Sequence, residues 1–213
     1  MIGMARSFAL AAVTGLAVLG SVAGAEAGSI VLLSNASTEV TALDAGDGRL
    51  TTGDITGLTW TNATEGAFGT WTGVPPGAPA GAEVINIGAG VGAYGFYKDV
   101  FTLPFGFSAA SIAGLANIDD DGYVFLNGHN IGYANEFGNN AFSASDPPFF
   151  KPGLNTLVFS DFNGGGGPSG AAFFATVDYT APSVPEPGTW MMVLAGFGLL
   201  GWSLRRRSVA AFA

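Results

Sequence analysis

The chain has 213 residues, a formal net charge of −9 and no cysteine. Between residues 28 and 187, three basic residues stand against fifteen acidic ones. This balance argues against a nucleic-acid partner, whose phosphates need Lys and Arg. Without cysteine no disulfide can stabilise the fold, and with His129 as its single histidine the chain is poorly equipped for a zinc site.

The N-terminal residues 1–27 predict a secretory signal peptide. Arg6 precedes an uncharged stretch, Ser7 to Ala25, that is rich in Ala, Leu and Val. Small residues at Ala25 and Ala27 predict cleavage after Ala27, with Ala23-Gly24-Ala25 as the alternative site. An uncleaved N-terminal anchor is the competing interpretation. Cleavage implies signal peptidase and the Sec translocon as partners, and export across the inner membrane.

Residues 28–182 predict one all-β domain, an antiparallel β-sandwich or jelly roll. Short β-prone runs alternate with Gly, Pro and Asn-Gly turns, and no long stretch has a helical period. The proline-rich stretch Val74–Gly81 predicts a loop. The predicted strands are Ser29–Leu33, Leu58–Thr61, Ala67–Thr72, Glu83–Ile87, Tyr94–Leu103, a strand from Ser111 to the following acidic turn, Gly122–Leu126, His129–Gly132, Phe150–Asn163 and Ala171–Tyr179.

Three consecutive acids, Asp119, Asp120 and Asp121, are predicted to form a turn between two strands. Carboxylates are hard donors that suit Ca²⁺, so these three are the candidate metal ligands and Ca²⁺ is the candidate ion. A solvated acidic turn without an ion is the alternative. The segment Asp44–Gly48 is a second acidic turn with the same two interpretations. Asn127-Gly128 predicts a two-residue hairpin, because both positions tolerate a positive φ.

Two aromatic residues, Tyr133 and Phe137, are the candidate glycan-binding residues. They lie, together with Phe142, in a segment rich in Asn and Gly that predicts a loop, and loops on a rigid sheet commonly carry binding residues. Sugars stack on exposed rings, although aromatic residues in a β-sandwich more often belong to the core. His129 is interpreted as a turn or strand-edge residue. No Gly-x-Ser-x-Gly elbow is present, and no catalytic residue is predicted.

The C-terminal segment 183–213 predicts a proline-rich breaker, a membrane span and a basic stop. The uncharged run Thr189–Leu204 is at the short end of the roughly 17–25 residues that cross a bilayer. It predicts a single transmembrane helix with Trp190 and Trp202 near its ends. The positive-inside bias places Arg205, Arg206 and Arg207 in the cytoplasm.

This order of features resembles the PEP-CTERM sorting signal of Gram-negative bacteria that make extracellular polysaccharide. The matching residues are Val184, Pro185, Glu186 and Pro187, then the glycine-containing apolar run, then the three arginines. The resemblance implies an exosortase as partner, a membrane cysteine transpeptidase that cleaves near Pro-Glu-Pro. It further implies a transient membrane anchor and a final place at the cell surface or in an extracellular matrix such as a biofilm. A plain tail anchor with a proline-rich stalk is the alternative.

The body resembles the galactose-binding-domain-like jelly roll found in carbohydrate-binding modules and in accessory domains of glycosidases. The matching pieces are Asp120–Gly128, Pro152–Leu157 and Phe173–Val177, whereas residues 28–93 contribute nothing to this resemblance. The two resemblances together imply an exported, non-catalytic surface or matrix protein that binds exopolysaccharide. The alternative is an extracellular glycoside hydrolase, or another hydrolase, acting on the same polymer through paired carboxylates.

Overall fold

The computed structural model describes residues 25–66, 73–87, 94–145, 147–164, 169–182 and 187–210. Residues 25–183 form one compact unit, and the C-terminal helix belongs to another. In chain order the elements are β1 (Glu26–Leu33), β2 (Glu39–Leu43), α1 (Arg49–Thr52), β3 (Thr61–Asn62), β4 (Thr64–Glu65), β5 (Ile85–Asn86), β6 (Tyr94–Leu103), β7 (Ala109–Asp119), β8 (Asp121–Leu126), β9 (His129–Asn135), β10 (Asn140–Ser145), β11 (Gly153–Asp161), β12 (Gly170–Ala181) and α2 (Pro187–Ala210).

The body contains two antiparallel sheets. The first has the order β10-β7-β12-β5-β4, with β1 also paired to β12, and the second has the order β3-β2-β6-β11-β8-β9. Strand β12 is the centre of the first sheet: β7 pairs along one of its edges, while β1 and β5 share the other. The long central strands are therefore hydrogen-bonded on both sides, which places β9 and β10 at edges.

The sheets pack face to face around a large apolar core. Successive side chains of a strand point to opposite faces, so alternate residues of each central strand reach this core. Phe173 of the first sheet stacks on Phe159 of the second with ring centroids 4.1 Å apart, and Phe142 meets the edge of Phe159 at 5.6 Å. These contacts confirm the predicted antiparallel sandwich.

A second, smaller core covers the outer face of the second sheet. Phe96, Phe125 and Val158 point away from the main core and pack under Leu50 of α1. The central strands of this sheet are thus buried on both faces. That arrangement explains why Tyr94–Leu103 has a nearly continuous run of large side chains, and this strand was predicted with the bounds that the structure shows.

Several sequence predictions need correction. Leu58 and Trp60 were expected in a strand, but only Thr61 and Asn62 form one, because the preceding residues pack irregularly on the second core. Strands β2 and β10 were not predicted. The predicted strand Ala67–Thr72 lies outside the described residues.

The C-terminal segment forms the helix α2, as the apolar run predicts. Judged by length and apolar character, none of the helices in the described part of the chain could cross a membrane. The predicted transmembrane helix Thr189–Leu204 is therefore not confirmed. Gly196, Gly198 and Gly201 dilute the apolar content of this run, and the arginines that follow continue the same helix. The signal peptide lies, apart from Ala25 to Ala27, outside the described residues.

Candidate functional site

The turn between β9 and β10 presents an exposed aromatic ring on a well-fixed backbone. Phe137 has 86% of its surface exposed, and the neighbouring Tyr133 has 46%. The Asn140 side-chain amide donates to the carbonyls of Asn135 at 2.9 Å and Gly138 at 2.8 Å. The Phe137 N–H in turn donates to Oδ1 of Asn135 at 3.1 Å. Asparagines at both ends of the turn therefore hold the backbone that displays Phe137.

Tyr133 rests on the sheet beside this turn. Its ring meets the edge of the Tyr123 ring at a centroid distance of 5.6 Å. Burial and then a hydrogen bond to the Asp121 carboxylate raise the pKa of the Tyr133 hydroxyl. The Tyr133 ring thus packs on Tyr123 while part of its surface stays accessible, and ring stacking on a sugar requires such accessible surface.

A group of carboxylates lies next to the same turn. Oxygens of Asp119, Asp120 and Glu136 all lie within 4.8 Å of one another. The Glu136 N–H also donates to the Asp120 carbonyl at 3.0 Å, which ties the β9–β10 turn to the β7–β8 turn. Burial, then the hydrogen bond and charge of Asp119 and the charge of Asp120, raise the pKa of Glu136.

This group differs from the one that the sequence predicts. Asp119 and Asp120 belong to it, whereas Asp121 bonds with Tyr133 and is not among the grouped acids of the described residues. Glu136 takes its place. Sequence reasoning missed Glu136 because the β8–β9 hairpin, and not a short spacing along the chain, brings it beside Asp120.

A fourth carboxyl, that of Asp161, is fully buried at the end of β11. The Tyr97 hydroxyl donates to its Oδ2 at 2.9 Å, while Oδ1 has no hydrogen-bond partner among the described residues. Burial is the main cause that raises the pKa of Asp161 well above its ordinary value, and the charges of Asp119 and Asp120 raise it further. Hydrogen bonds from Tyr97 and Ser169 lower this pKa and so oppose part of the shift. The residue therefore lies within electrostatic reach of both acids.

A glycine lets β8 pass close to β11 and so positions the acidic turn. A Cβ on Gly122 would collide with the carbonyl of Ser160. The adjacent Tyr123 N–H donates to the Ser160 hydroxyl at 2.8 Å, and Phe162 N–H donates to the Asp121 carbonyl at 2.7 Å. Since L side chains are excluded by backbone at this position, only glycine permits the approach.

Two other aromatic residues pack against the cores of the body. Phe142 lies in strand β10, not in a loop, and only 3% of its surface is exposed. Its ring enters the main core because the strand alternation of β10 turns it inward. Trp60 packs against the second core, with Lys98 Nζ 4.0 Å from its ring centroid. Trp71 lies outside the described residues.

The remaining sequence candidates have structural explanations. His129 is exposed at the start of the edge strand β9, where its ring meets that of Phe149 at 5.7 Å, as the edge interpretation predicts. In the second acidic turn, Asp47 pairs with Arg49 at 2.7 Å, and their hydrogen bond lowers the pKa of Asp47. That pairing compensates the charge of Asp47, one of the two acids of this turn. Asn127 and Gly128 form the predicted hairpin with φ of 50° and 83°.

The sorting residues are only partly described. Val184, Pro185 and Glu186 lie outside the described residues, whereas Pro187 begins α2 and Arg205, Arg206 and Arg207 lie in its last turns. At the other end, Ala25 precedes β1 and Ala27 lies within it, opposite Thr180. The predicted cleavage after Ala27 would thus remove the first two residues of a paired strand.

Residues 183–207 match a family model described as the PEP-CTERM protein-sorting motif. The chain therefore carries this motif, which confirms the resemblance seen in the sequence. The sheets and the motif together define the class: a β-sandwich protein with a C-terminal PEP-CTERM sorting motif. No curated protein matches the chain in sequence.

Solved structures that the chain matches in part include two carbohydrate-binding modules and an enzyme. The family 35 carbohydrate binding module of Clostridium thermocellum has 13% identity and a TM-score of 0.33, covering 55% of this chain and 88% of that one. A CBM35 from Cellvibrio japonicus Abf62 has 10% identity and a TM-score of 0.36, covering 74% and 100%. A β-glucuronidase of an uncultured Clostridium has 8% identity and a TM-score of 0.44, covering 72% of this chain and only 29% of the enzyme. The chain thus spans less than a third of that enzyme, and the fold assignment rests on the described sheets themselves.

Proposed function

We propose that this protein is an exported, exosortase-processed, non-catalytic surface or matrix protein that binds exopolysaccharide. The sorting motif at residues 183–207 supports the first half of this proposal. The second half rests on one observation: Phe137, 86% exposed, stands on a turn that Asn135 and Asn140 hold in place. An exposed ring on a rigid turn, with polar groups beside it, is a suitable platform for a sugar.

Sorting would proceed in three steps. Signal peptidase removes the N-terminal segment after passage through the Sec translocon. The C-terminal segment then holds the protein transiently at the inner membrane, and an exosortase cleaves near Pro185-Glu186-Pro187. The product is released to the medium or attached at the surface, and it lacks Trp190 to Arg207.

Intact-mass measurement of the exported protein tests this route. Wild type is expected to have a mass that excludes Trp190 to Arg207, and deletion of the host exosortase is expected to restore that segment. Glu186→Ala should behave like the deletion, whereas Glu83→Ala, an acid of the body, should be processed normally. An exported wild-type protein that retains Trp190 to Arg207 contradicts the sorting proposal.

Binding is tested with the exopolysaccharide of the host as the probe. The purified protein is expected to sediment with this polymer, and excess soluble polymer should compete. A parallel assay measures new reducing ends, which a hydrolase would release and a binding protein would not. Binding without new reducing ends supports the proposal, while release of sugars would favour the hydrolase alternative.

A further inference from the structure

A groove of about 400 Å³ lies on the outer face of the second sheet, lined by residues that follow α1, by the β8–β9 hairpin turn and by β11. Its volume falls within the roughly 300–1,000 Å³ that is usual for ligand-binding clefts. Val158 belongs to the second core and Ile55 packs against it, so these two residues give the groove an apolar floor. The polar side chains of the lining are three hydroxyls, one carboxylate, one ammonium and one amide: Thr52, Thr56, Thr156, Asp54, Lys151 and Asn127.

Two asparagine side chains fix one wall of the groove. The Asn127 amide donates to the Phe149 carbonyl at 2.7 Å and to Oδ1 of Asn155 at 2.8 Å. Oδ1 of Asn127 accepts from the Thr156 N–H at 3.1 Å. Asn155 accepts from the Lys151 N–H at 3.0 Å and donates to the Lys151 carbonyl at 2.8 Å. The backbone that carries Lys151 and Thr156 is therefore held in place before any ligand binds.

A helix cap and a tight turn hold the other wall. Gly53 follows α1 with φ of 68°, and its N–H donates to the Arg49 carbonyl at 2.7 Å. A Cβ on Gly53 would lie 2.5 Å from the Phe125 ring, so glycine lets this wall pack closely on the second core. The Thr56 N–H donates to Oδ1 of Asp54 at 2.9 Å, which orients the carboxylate at the groove.

The two charged groups of the groove keep free hydrogen-bonding positions. Neither Asp54 nor Lys151 forms an ion pair with the described residues. The ammonium therefore offers three donors, and the carboxylate offers acceptor positions beyond those that Thr56 uses. One positive and one negative group nearly cancel, whereas the body around them has three basic against fifteen acidic residues. An acidic ligand would meet this excess of negative charge, while a neutral ligand with several hydroxyls can use both groups.

We propose that this groove binds one neutral sugar unit of a polysaccharide. The Asp54 carboxylate accepts hydrogen bonds from the sugar hydroxyls, Lys151 and Thr156 donate to them, and the apolar floor covers C–H surface of the ring. Strand β9 (His129–Asn135) separates the groove from the Phe137 turn. The groove is thus a second sugar site, which goes beyond the proposed function because it does not require the Phe137 turn.

Titration of cellotriose and of maltotriose into the isotope-labelled protein, followed by two-dimensional NMR, tests the proposal. At least one of these neutral trisaccharides is expected to shift the amide signals of Gly128, Lys151 and Thr156 saturably. A trimer of galacturonic acid is expected to bind about threefold more weakly, because the body is acidic. Lys151→Met keeps the apolar stem and removes three donors, and Thr156→Val keeps the shape and removes the hydroxyl. Each variant is expected to weaken binding about fivefold.

The matched control is Thr102→Val, because Thr102 is an exposed threonine of β6 that does not line the groove. This variant should keep wild-type affinity, and the same spectra verify that every variant is folded. The amide signals of Phe137 and Gly138 report the other site, so failure of one proposal is distinguishable from failure of the other.

The groove proposal is overturned if neither neutral trisaccharide shifts the groove signals saturably. It is also overturned if Lys151→Met and Thr156→Val bind like wild type, or if Thr102→Val loses as much affinity as they do. Tighter binding of the galacturonate trimer than of both neutral sugars would likewise overturn it.

Discussion

The hydroxyl of Tyr97 donates a 2.9 Å hydrogen bond to Oδ2 of Asp161, joining β6 and β11 inside the sandwich. Both residues are fully buried, so this donor offsets part of the cost of placing a carboxyl in the interior. Asp161 immediately precedes Phe162, whose N–H donates to the Asp121 carbonyl, so this polar interior pair adjoins the strand that follows the acidic turn.

Replacement of Tyr97 by Phe is expected to lower the free energy of unfolding by about 1–3 kcal/mol, because Asp161 then loses a buried hydrogen-bond donor. Urea denaturation followed by tryptophan fluorescence measures the change. Tyr94→Phe is the matched control, since the Tyr94 hydroxyl makes no hydrogen bond with the described residues and should be within about 0.5 kcal/mol of wild type. Equal stabilities for the two variants would contradict the importance of the Tyr97 bond.

Gly122→Ala is expected to destabilise the body by more than about 2 kcal/mol, because the new Cβ collides with the Ser160 carbonyl, a backbone atom that cannot move aside. Gly48→Ala adds a methyl group where no atom lies within 4 Å, and it should change stability little. Thermal melts of the two variants provide the comparison. If Gly122→Ala has the same melting temperature as wild type, β8 does not approach β11 as closely as described here.

The sequence predicts those strands and turns whose residue pattern is contained within the element itself. Strand β6 is recognisable because its inward and outward side chains both enter cores, and the Asn127-Gly128 turn is recognisable from its two residues alone. Strand β10 is hidden by its Asn, Ser and Ala content, and for that reason Phe142 was expected in a loop. The four residues of α1 are too few to show a helical period.

The candidate site was predictable only in part for the same reason. Asp119 and Asp120 are adjacent in the chain, so their grouping is visible, whereas Glu136 arrives through strand pairing. Asp161 did leave a signal: it continues the alternation of Leu157 and Phe159, both of which face the main core. A carboxyl at the next inward position of such a strand indicates a buried acid, and the pattern would have identified it.

Phe137→Ala is expected to weaken exopolysaccharide binding about tenfold, since removal of one stacking ring costs on the order of 1 kcal/mol or somewhat more. Phe105→Ala is the matched control, because Phe105 is 81% exposed but lies in the turn between β6 and β7. Sedimentation with the polymer at several protein concentrations gives both affinities. Similar losses for the two variants would show that general apolar adhesion, and not this turn, accounts for binding.

The mature N-terminus is expected at Glu26, after cleavage at the Ala23-Gly24-Ala25 site, and not after Ala27 as the sequence first suggests. The reason is that β1 pairs with β12 from Glu26 onward, opposite Ala181. N-terminal sequencing of the exported protein measures this directly. Ala23→Lys alters only the earlier site and should block processing, whereas Ala27→Lys should leave it unchanged. A wild-type N-terminus at Gly28 contradicts the expectation.

Asp99 is expected to make the body less stable above pH 6 than below it. Burial raises the pKa of Asp99 from 3.8 to about 6. The charge of Glu39 also raises this pKa, whereas a hydrogen bond from Thr38 lowers it. Between these two values the folded chain holds a proton that the unfolded chain has released, so stability falls as pH rises through this range. Above pH 6 the loss is on the order of 3 kcal/mol.

Asp99→Asn removes the charge and keeps an oxygen that accepts from Thr38. This variant should be more stable than wild type at pH 7, and the difference should disappear near pH 4. All other titrating groups are the same in the two proteins, so the difference between their stabilities isolates the contribution of Asp99. Urea denaturation at intervals from pH 4 to pH 7 measures the difference, and a constant difference across that range would show that Asp99 titrates at its ordinary pKa.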